Sequence, residues 1–384
     1  MRGLSRHQRQ QLPELLPGLI GNLDGLPYTV RDRANRQLLA SYLADPQGIS
    51  LYSRQALERI RLSLDLGPGQ PSCQLINLDL THNDCSRELT GGACSADALP
   101  WFGGSDDVLT ALALGNLDRA RALTILNPGM RNHTAASLDP QGGNLMQLAQ
   151  ELFTAQHNSY RQQGALDQPS TLANPSRSGH AVLVNLNYVT PQSGDVLFLS
   201  DARLAGERLA HCLDGFTLLS SGQAQIYLLN HSYGSTTAVE ALARSDSDVN
   251  AIYNLGSAGI NREYVPQLDA AQLPRLARDQ QGRPQCFSST ARADQLSLIG
   301  ITASGRLDPR ELNQSFTVSA EASADQTLPA VTGHSLYPQE GVGYASAGSN
   351  SFKNIVAVTT GQVASLDQGD LSYKLSATPA DHIP

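Results

Sequence analysis

The chain has 384 residues, of which 16% are charged and 5% aromatic, and a formal net charge of −8. That length admits one elaborated domain with a full hydrophobic core. The acidic balance without any basic cluster argues against nucleic acid as a partner, and no apolar run approaches the ~18 residues of a membrane span. Residues 1–104 read as a helical segment packed on the domain formed by residues 105–384. Stretches 12–23, 31–42 and 55–66 carry apolar residues at helical spacing, and Gly67-Pro68-Gly69 stops the last of them. No strand is expected in this segment. The apolar stretch 15–20 is interrupted by Pro17 and Gly18, so it falls short of the roughly 7–15 apolar residues of a secretory signal. The expectation is a cytoplasmic protein, or one exported by a signal-less route.

From about residue 105 to 384, strands and helices alternate. That alternation predicts an α/β fold, a mostly parallel sheet with helices on both faces plus the N-terminal helical layer. Strands are expected at 108–114, 122–126, 181–186, 225–229, 249–255 and 285–290, with helices at 144–157 and 200–218. Two insertions interrupt the pattern, near 162–179 and 261–283, and residues from 361 onward read as a tail. Of five cysteines, Cys212 and Cys286 have the apolar surroundings of buried thiols. Cys85 and Cys94 would close a loop in an oxidising compartment. Cys73, His82, Cys85 and Cys94 lack the short Cys-x2-Cys spacing of common zinc sites, so neither metal nor cofactor is expected.

The stretch with most chemical content is Gln223 to Gly234. An apolar run, Ile226 to Leu229, ends in Asn230-His231-Ser232-Tyr233-Gly234, and good helix formers follow over 236–244. A serine at the apex of a strand–turn–helix is the layout of a nucleophile elbow. The hydroxyl is a weak nucleophile until a base takes its proton, and a sharp turn makes it reachable. Asn230 stands where that pattern has its first Gly, and Asn tolerates unusual backbone angles better than most residues. Such enzymes order their triad Ser, acid, His. Of the nine histidines only His334 and His382 follow Ser232. His382 is third from the end of the chain, which leaves His334, in a Gly-containing loop, as the base. Asp294 lies just past the carboxyl end of strand 285–290, where catalytic groups gather in open α/β sheets; Asp308 is its rival. Tetrahedral intermediates need main-chain N–H donors. Tyr233, after the nucleophile, and Met130, in the turn Asn127-Pro128-Gly129-Met130 after an early strand, are the expected oxyanion hole.

Gly115-Asn116-Leu117-Asp118, Asn127-Pro128-Gly129-Met130, Asn230-His231-Ser232-Tyr233-Gly234-Ser235, Gly256-Ser257-Ala258-Gly259, Gly333-His334-Ser335 and Asn354-Ile355-Val356 to Gly361 occur in one order. In this the chain resembles an uncharacterised, mostly actinobacterial family of α/β-hydrolases with a Gly-His-Ser-Tyr-Gly-Ser elbow. Gly21-Asn22-Leu23-Asp24-Gly25-Leu26-Pro27 and Arg31-Asp32-Arg33-Ala34-Asn35-Arg36 are similar to its N-terminal helical signature. The resemblance implies an α/β-hydrolase fold with Ser232, Asp294 and His334 as triad, and no particular substrate. The expected activity is cleavage of a small-molecule carboxylic ester through an acyl-enzyme, by analogy with the fold. The alternatives are a non-catalytic interaction protein on the same scaffold, or peptide, thioester or acyl-transfer chemistry on the same triad.

Overall fold

The computed structural model describes residues 6–80, 108–141, 145–164, 179–191, 194–280, 282–338, 340–367 and 369. Cys85, Cys94, His82 and His382 lie outside the described residues. Helices α1 (Arg6–Leu15), α2 (Pro17–Asn22), α3 (Tyr28–Ala44) and α4 (Leu51–Ser63) precede strand β1 (Cys73–Asp79). Then come β2 (Leu109–Leu114), β3 (Ala120–Asn127), α5 (Thr134–Ser137), α6 (Leu145–Gln162), β4 (Gly179–Leu186) and α7 (Ser200–Leu219). The last third holds β5 (Gln225–His231), α8 (Gly234–Leu242), β6 (Ala251–Leu255), β7 (Cys286–Ser289), α9 (Gln295–Ser304), β8 (Phe316–Thr317) and α10 (Asn350–Thr359).

Strands β1-β2-β4-β3 neighbour one another in that order, as do β5-β6-β7-β8. The pairs β1–β2 and β2–β4 are antiparallel, while β5, β6, β7 and β8 pair in parallel. Parallel strands require crossover connections and burial on both faces, and β5 to β7 are accordingly buried throughout except Gln225. By contact the chain groups into 1–125, 131–190 and 208–225 on one hand, and 126–130, 191–207 and 226–384 on the other.

In the first group the expectation of an all-helical start is corrected by β1. Buried Gln74 and Asn77 break the apolar alternation that would have marked it. Gln74 is satisfied there by the Leu117 N–H at 2.8 Å. Among the described strands β1 is an edge strand, and an open edge leaves a row of unpaired main-chain groups. Helices α2 and α3 fill that row with side chains. Asn35 Nδ2 donates to the carbonyls of Gly21, Leu75 and Ile76 at 2.9–3.0 Å. Asn22 accepts from the Leu78 N–H at 2.9 Å and donates to the Leu78 carbonyl at 2.8 Å. Asp32 accepts from the Leu75 N–H at 2.7 Å, and Arg36 donates to the Cys73 carbonyl at 2.6 Å. Gly21 has no substitute in this packing, because a Cβ there would sit 1.8 Å from Asn35 Oδ1.

In the second group, β5 delivers its last residue, His231, directly into a turn, and α8 starts at Gly234. The expected elbow is therefore present as strand, a two-residue turn (Ser232 and Tyr233) and helix. β8 is two residues long, too short to carry a sequence pattern. Helix α10 is rich in β-branched residues, which are poor helix formers. It is secured at its start by Ser349, whose Oγ accepts from the Phe352 N–H at 3.0 Å.

Candidate active site

Ser232 is buried and holds φ +53°. A non-glycine residue in the left-handed region costs of order 1–3 kcal/mol and persists only where its surroundings over-determine it. Those surroundings are main-chain bonds on both sides: the Ser232 N–H donates to the Leu255 carbonyl at 3.0 Å, and its carbonyl accepts from Ser235 and Ala258 at 3.1 and 3.2 Å. Two glycines allow the 127–130 loop to press against the apex. A Cβ on Gly234 would lie 2.3 Å from the Asn127 carbonyl oxygen, and one on Gly129 would lie 2.6 Å from Ser232 Cβ and 3.1 Å from Oγ. Met130 follows Gly129 in that loop, half-buried. Tyr233 heads α8, its hydroxyl donating to the Phe198 carbonyl at 2.7 Å and accepting from the Ala202 N–H at 3.1 Å. The Arg306 guanidinium lies 5.0 Å from the centre of the Tyr233 ring.

Asn230 is held by side chains where main-chain partners would have sufficed. It accepts from Asn127 Nδ2 at 2.8 Å and donates to Asn254 Oδ1 at 3.0 Å. The register explains the second bond, since Asn230 and Asn254 are direct partners in the β5–β6 pair. A buried amide ladder beneath the elbow takes the place of a glycine.

Of the residues expected from sequence, the structure brings Ser232, His334 and Asp294 together. His334 Nε2 lies 2.9 Å from Ser232 Oγ, and His334 Nδ1 lies 2.9 Å from each carboxylate oxygen of Asp294. A carboxylate only accepts, so Nδ1 carries the proton and Nε2 is left as the acceptor for the serine hydroxyl. Asp294 is fully buried and doubles as the N-cap of α9, where its Oδ1 accepts from the Ser297 N–H at 3.0 Å. Burial alone would raise this carboxyl. His334, the Ser297 N–H and the Tyr344 hydroxyl together outweigh burial and hold it below the ordinary carboxylate value. The rival Asp308 is engaged elsewhere, capping 309–311 and pairing with Arg310 at 2.6 Å.

Two further residues belong to this cluster and carry no sequence signal. His231 Nε2 lies 2.6 Å from the His334 carbonyl oxygen, so that nitrogen bears its proton. Burial, then the neighbouring His334, pushes the His231 imidazole down to about 3, and it stays neutral. Tyr344 reaches Asp294 from the other side, its hydroxyl 2.8 Å from Oδ2. Among the described residues no group of three or more His, Cys, Asp or Glu side chains is placed to hold a metal ion. No described helix is long and apolar enough to cross a membrane.

Residues 103–274 match the model of a family described as alpha/beta hydrolase. The match includes Ser232 and ends before Asp294 and His334. Two uncharacterised proteins of Mycobacterium tuberculosis are each 26% identical over 276 residues, which is 67% of this chain and 38% of theirs. The chain thus spans well under half the length of these relatives. Among solved structures, a predicted CIB-like hydrolase from Thermoplasma acidophilum is 12% identical, with a TM-score of 0.35 over 67% of this chain and 92% of its own. A thermophilic esterase from the planctomycete Thermogutta terrifontis is 11% identical, with a TM-score of 0.32 over 67% of this chain and 89% of its own. By strand order and the match over residues 103–274, the chain has the fold of an α/β hydrolase, and it is similar over part of its length to those uncharacterised mycobacterial proteins.

Proposed function

We propose that the protein is a serine hydrolase that cleaves carboxylic esters through a Ser232–His334–Asp294 triad. The observation that carries this reading is the unbroken contact from Ser232 Oγ to His334 Nε2 and from His334 Nδ1 to Asp294, each step 2.9 Å. Ser232 Oγ attacks the acyl carbon while His334 Nε2 takes its proton, and Asp294 stabilises the imidazolium so formed. The tetrahedral oxyanion is received by the N–H groups of Tyr233 and Met130. Collapse expels the alkoxide, which leaves as the alcohol with the proton from Nε2. Water then gives a proton to Nε2 and its hydroxyl to the acyl carbon, releasing the acid and restoring Ser232. The positive φ of Ser232 supports this role, because strain of that kind is kept where an apex must be presented.

Fluorophosphonate labelling and a panel of short to long acyl esters test the proposal. Ser232→Ala is expected to leave the fold intact, remove labelling and lower turnover by about 10⁴-fold or more. Unchanged ester turnover in that variant ends the assignment. Labelling without ester turnover, accompanied by cleavage of amides or thioesters, moves the substrate class and keeps the nucleophile.

A further inference from the structure

Tyr344 is fully buried. Its hydroxyl accepts from the Ala291 N–H at 2.9 Å. The N–H can only donate, and the Asp294 carboxylate can only accept, so the proton of the Tyr344 hydroxyl is committed to Oδ2, 2.8 Å away. The same residue also holds the base's loop, because the Tyr344 N–H donates to the carbonyl of Ser335 at 3.1 Å, one residue past His334. Gly256 makes room for this arrangement. It sits just past the end of β6 with φ +50°, and a Cβ there would lie 2.6 Å from Asp294 Oδ2 and 2.9 Å from the Tyr344 ring.

We propose that Tyr344 is a positioning residue for the triad: its hydroxyl fixes the Asp294 carboxylate in register with His334 Nδ1–H and withdraws part of its negative charge, which sets the basicity of His334. This inference rests on the triad reading above. Tyr344 itself gives up no proton. Burial raises its phenol well above the ordinary value, and the charge of Asp294 raises it further. The other charged group facing the hydroxyl is Arg310, which is paired with Asp308 at 2.6 Å. His231, neutral, faces both partners, its ring centre 4.9 Å from that of His334 and 6.0 Å from that of Tyr344.

Removing the hydroxyl returns charge to the oxygen atoms that face His334 and favours the imidazolium. The acid limb of the kcat/KM profile, where His334 loses activity by protonation, should then move to higher pH. Tyr344→Phe is tested by that profile on a short acyl ester and by the far-downfield proton resonance of His334 Nδ1–H in the intact protein. Expected are a fall in kcat of about tenfold or more with KM little changed, and an acid limb raised by about half a pH unit. A displaced Nδ1–H resonance should accompany them. Site-specific 3-fluorotyrosine at position 344 keeps the shape and strengthens the donor, so the limb and the resonance should move the opposite way. A merely structural role lowers thermal stability and leaves limb and resonance in place; that result in both proteins overturns the proposal. If Tyr344→Phe does not fold, the fluorotyrosine protein decides alone. If the wild type neither labels with fluorophosphonate nor cleaves esters, the hydrolytic reading fails, and the resonance still reports whether Tyr344 acts on the Asp294–His334 pair.

Discussion

At the edge of β1, buried and half-buried polar side chains from α2 and α3 point at main-chain atoms: Asn35 at the carbonyls of Leu75 and Ile76, Asn22 at both polar groups of Leu78, Asp32 at the Leu75 N–H. Around Asp294 the polar side chains point at one another, with Ser232, His334, Asp294 and Tyr344 in one line of contacts 2.8–2.9 Å long. Main-chain partners are fixed in place and in charge, so the first network holds geometry and nothing else. In the second, Ser232 and His334 are placed to exchange a proton beside the charge of Asp294, and the geometry is maintained by glycines, a strained serine and a helix cap. Buried polarity supports a sheet in one place and a reaction in the other.

The largest expected effect separates two aspartates that differ in the same way. Asp294→Asn should lower turnover by about 10⁴-fold, because the amide sets the wrong tautomer on His334, with modest change in stability. Asp308→Asn should leave turnover per folded molecule within a few-fold. It removes a charged partner of the buried Arg310, and breaking a buried pair costs on the order of 3–5 kcal/mol. Steady-state kinetics and denaturant unfolding on both variants would blur the contrast if the two losses came out reversed.

A smaller effect is expected at the edge of the sheet. Asn35→Ala leaves the Leu75 and Ile76 carbonyls without their amide donor, at about 1–3 kcal/mol for a buried unsatisfied group. Urea unfolding should show that loss while ester turnover per folded molecule holds. A fall in turnover matched to unchanged stability would mean the edge network acts on the chemistry after all.

A further effect is on pH. His231 is pushed down to about 3 and His180 to about 4, burial being the main cause in each. Between the ordinary histidine value near 6.5 and those values, the unfolded chain binds protons that the folded chain does not. Stability should therefore be full above about pH 6.5 and decline as pH falls toward 4. Urea midpoints at pH 7.5 and 5 measure the decline. His180→Gln, which keeps a donor for the Phe153 carbonyl that His180 Nε2 now contacts at 3.0 Å, should flatten it; an unaltered slope would remove His180 from this account.

The elements carrying Ser232, Asp294 and His334 were legible because their signals are local: an apolar strand running into a Ser-x-Gly turn, an Asp just past a strand end, a His in a Gly-containing loop. The hidden parts are those fixed by partners far apart in the chain. Asn230 departs from the usual glycine for a reason visible only once β5 and β6 are paired and Asn254 stands beside it. Tyr344 contacts Asp294 across 50 residues, with no periodicity or spacing to announce it. β1 escaped notice because its buried Gln74 and Asn77 look like surface residues until their partners are known. Met130 and Tyr233 follow from the logic of the elbow, and Gly129, next to Met130, lies against Ser232.

The side chains that line the outer margin of β1 also set the limits of what can be cut away. A fragment beginning after α3 would carry β1 without Asn22, Asp32, Asn35 or Arg36. The strand, seven residues long, would then offer its free main-chain row as a template for a second chain, the situation that leads to edge-to-edge aggregation. In this fold the opening helices keep that row occupied by donors and acceptors of the same chain.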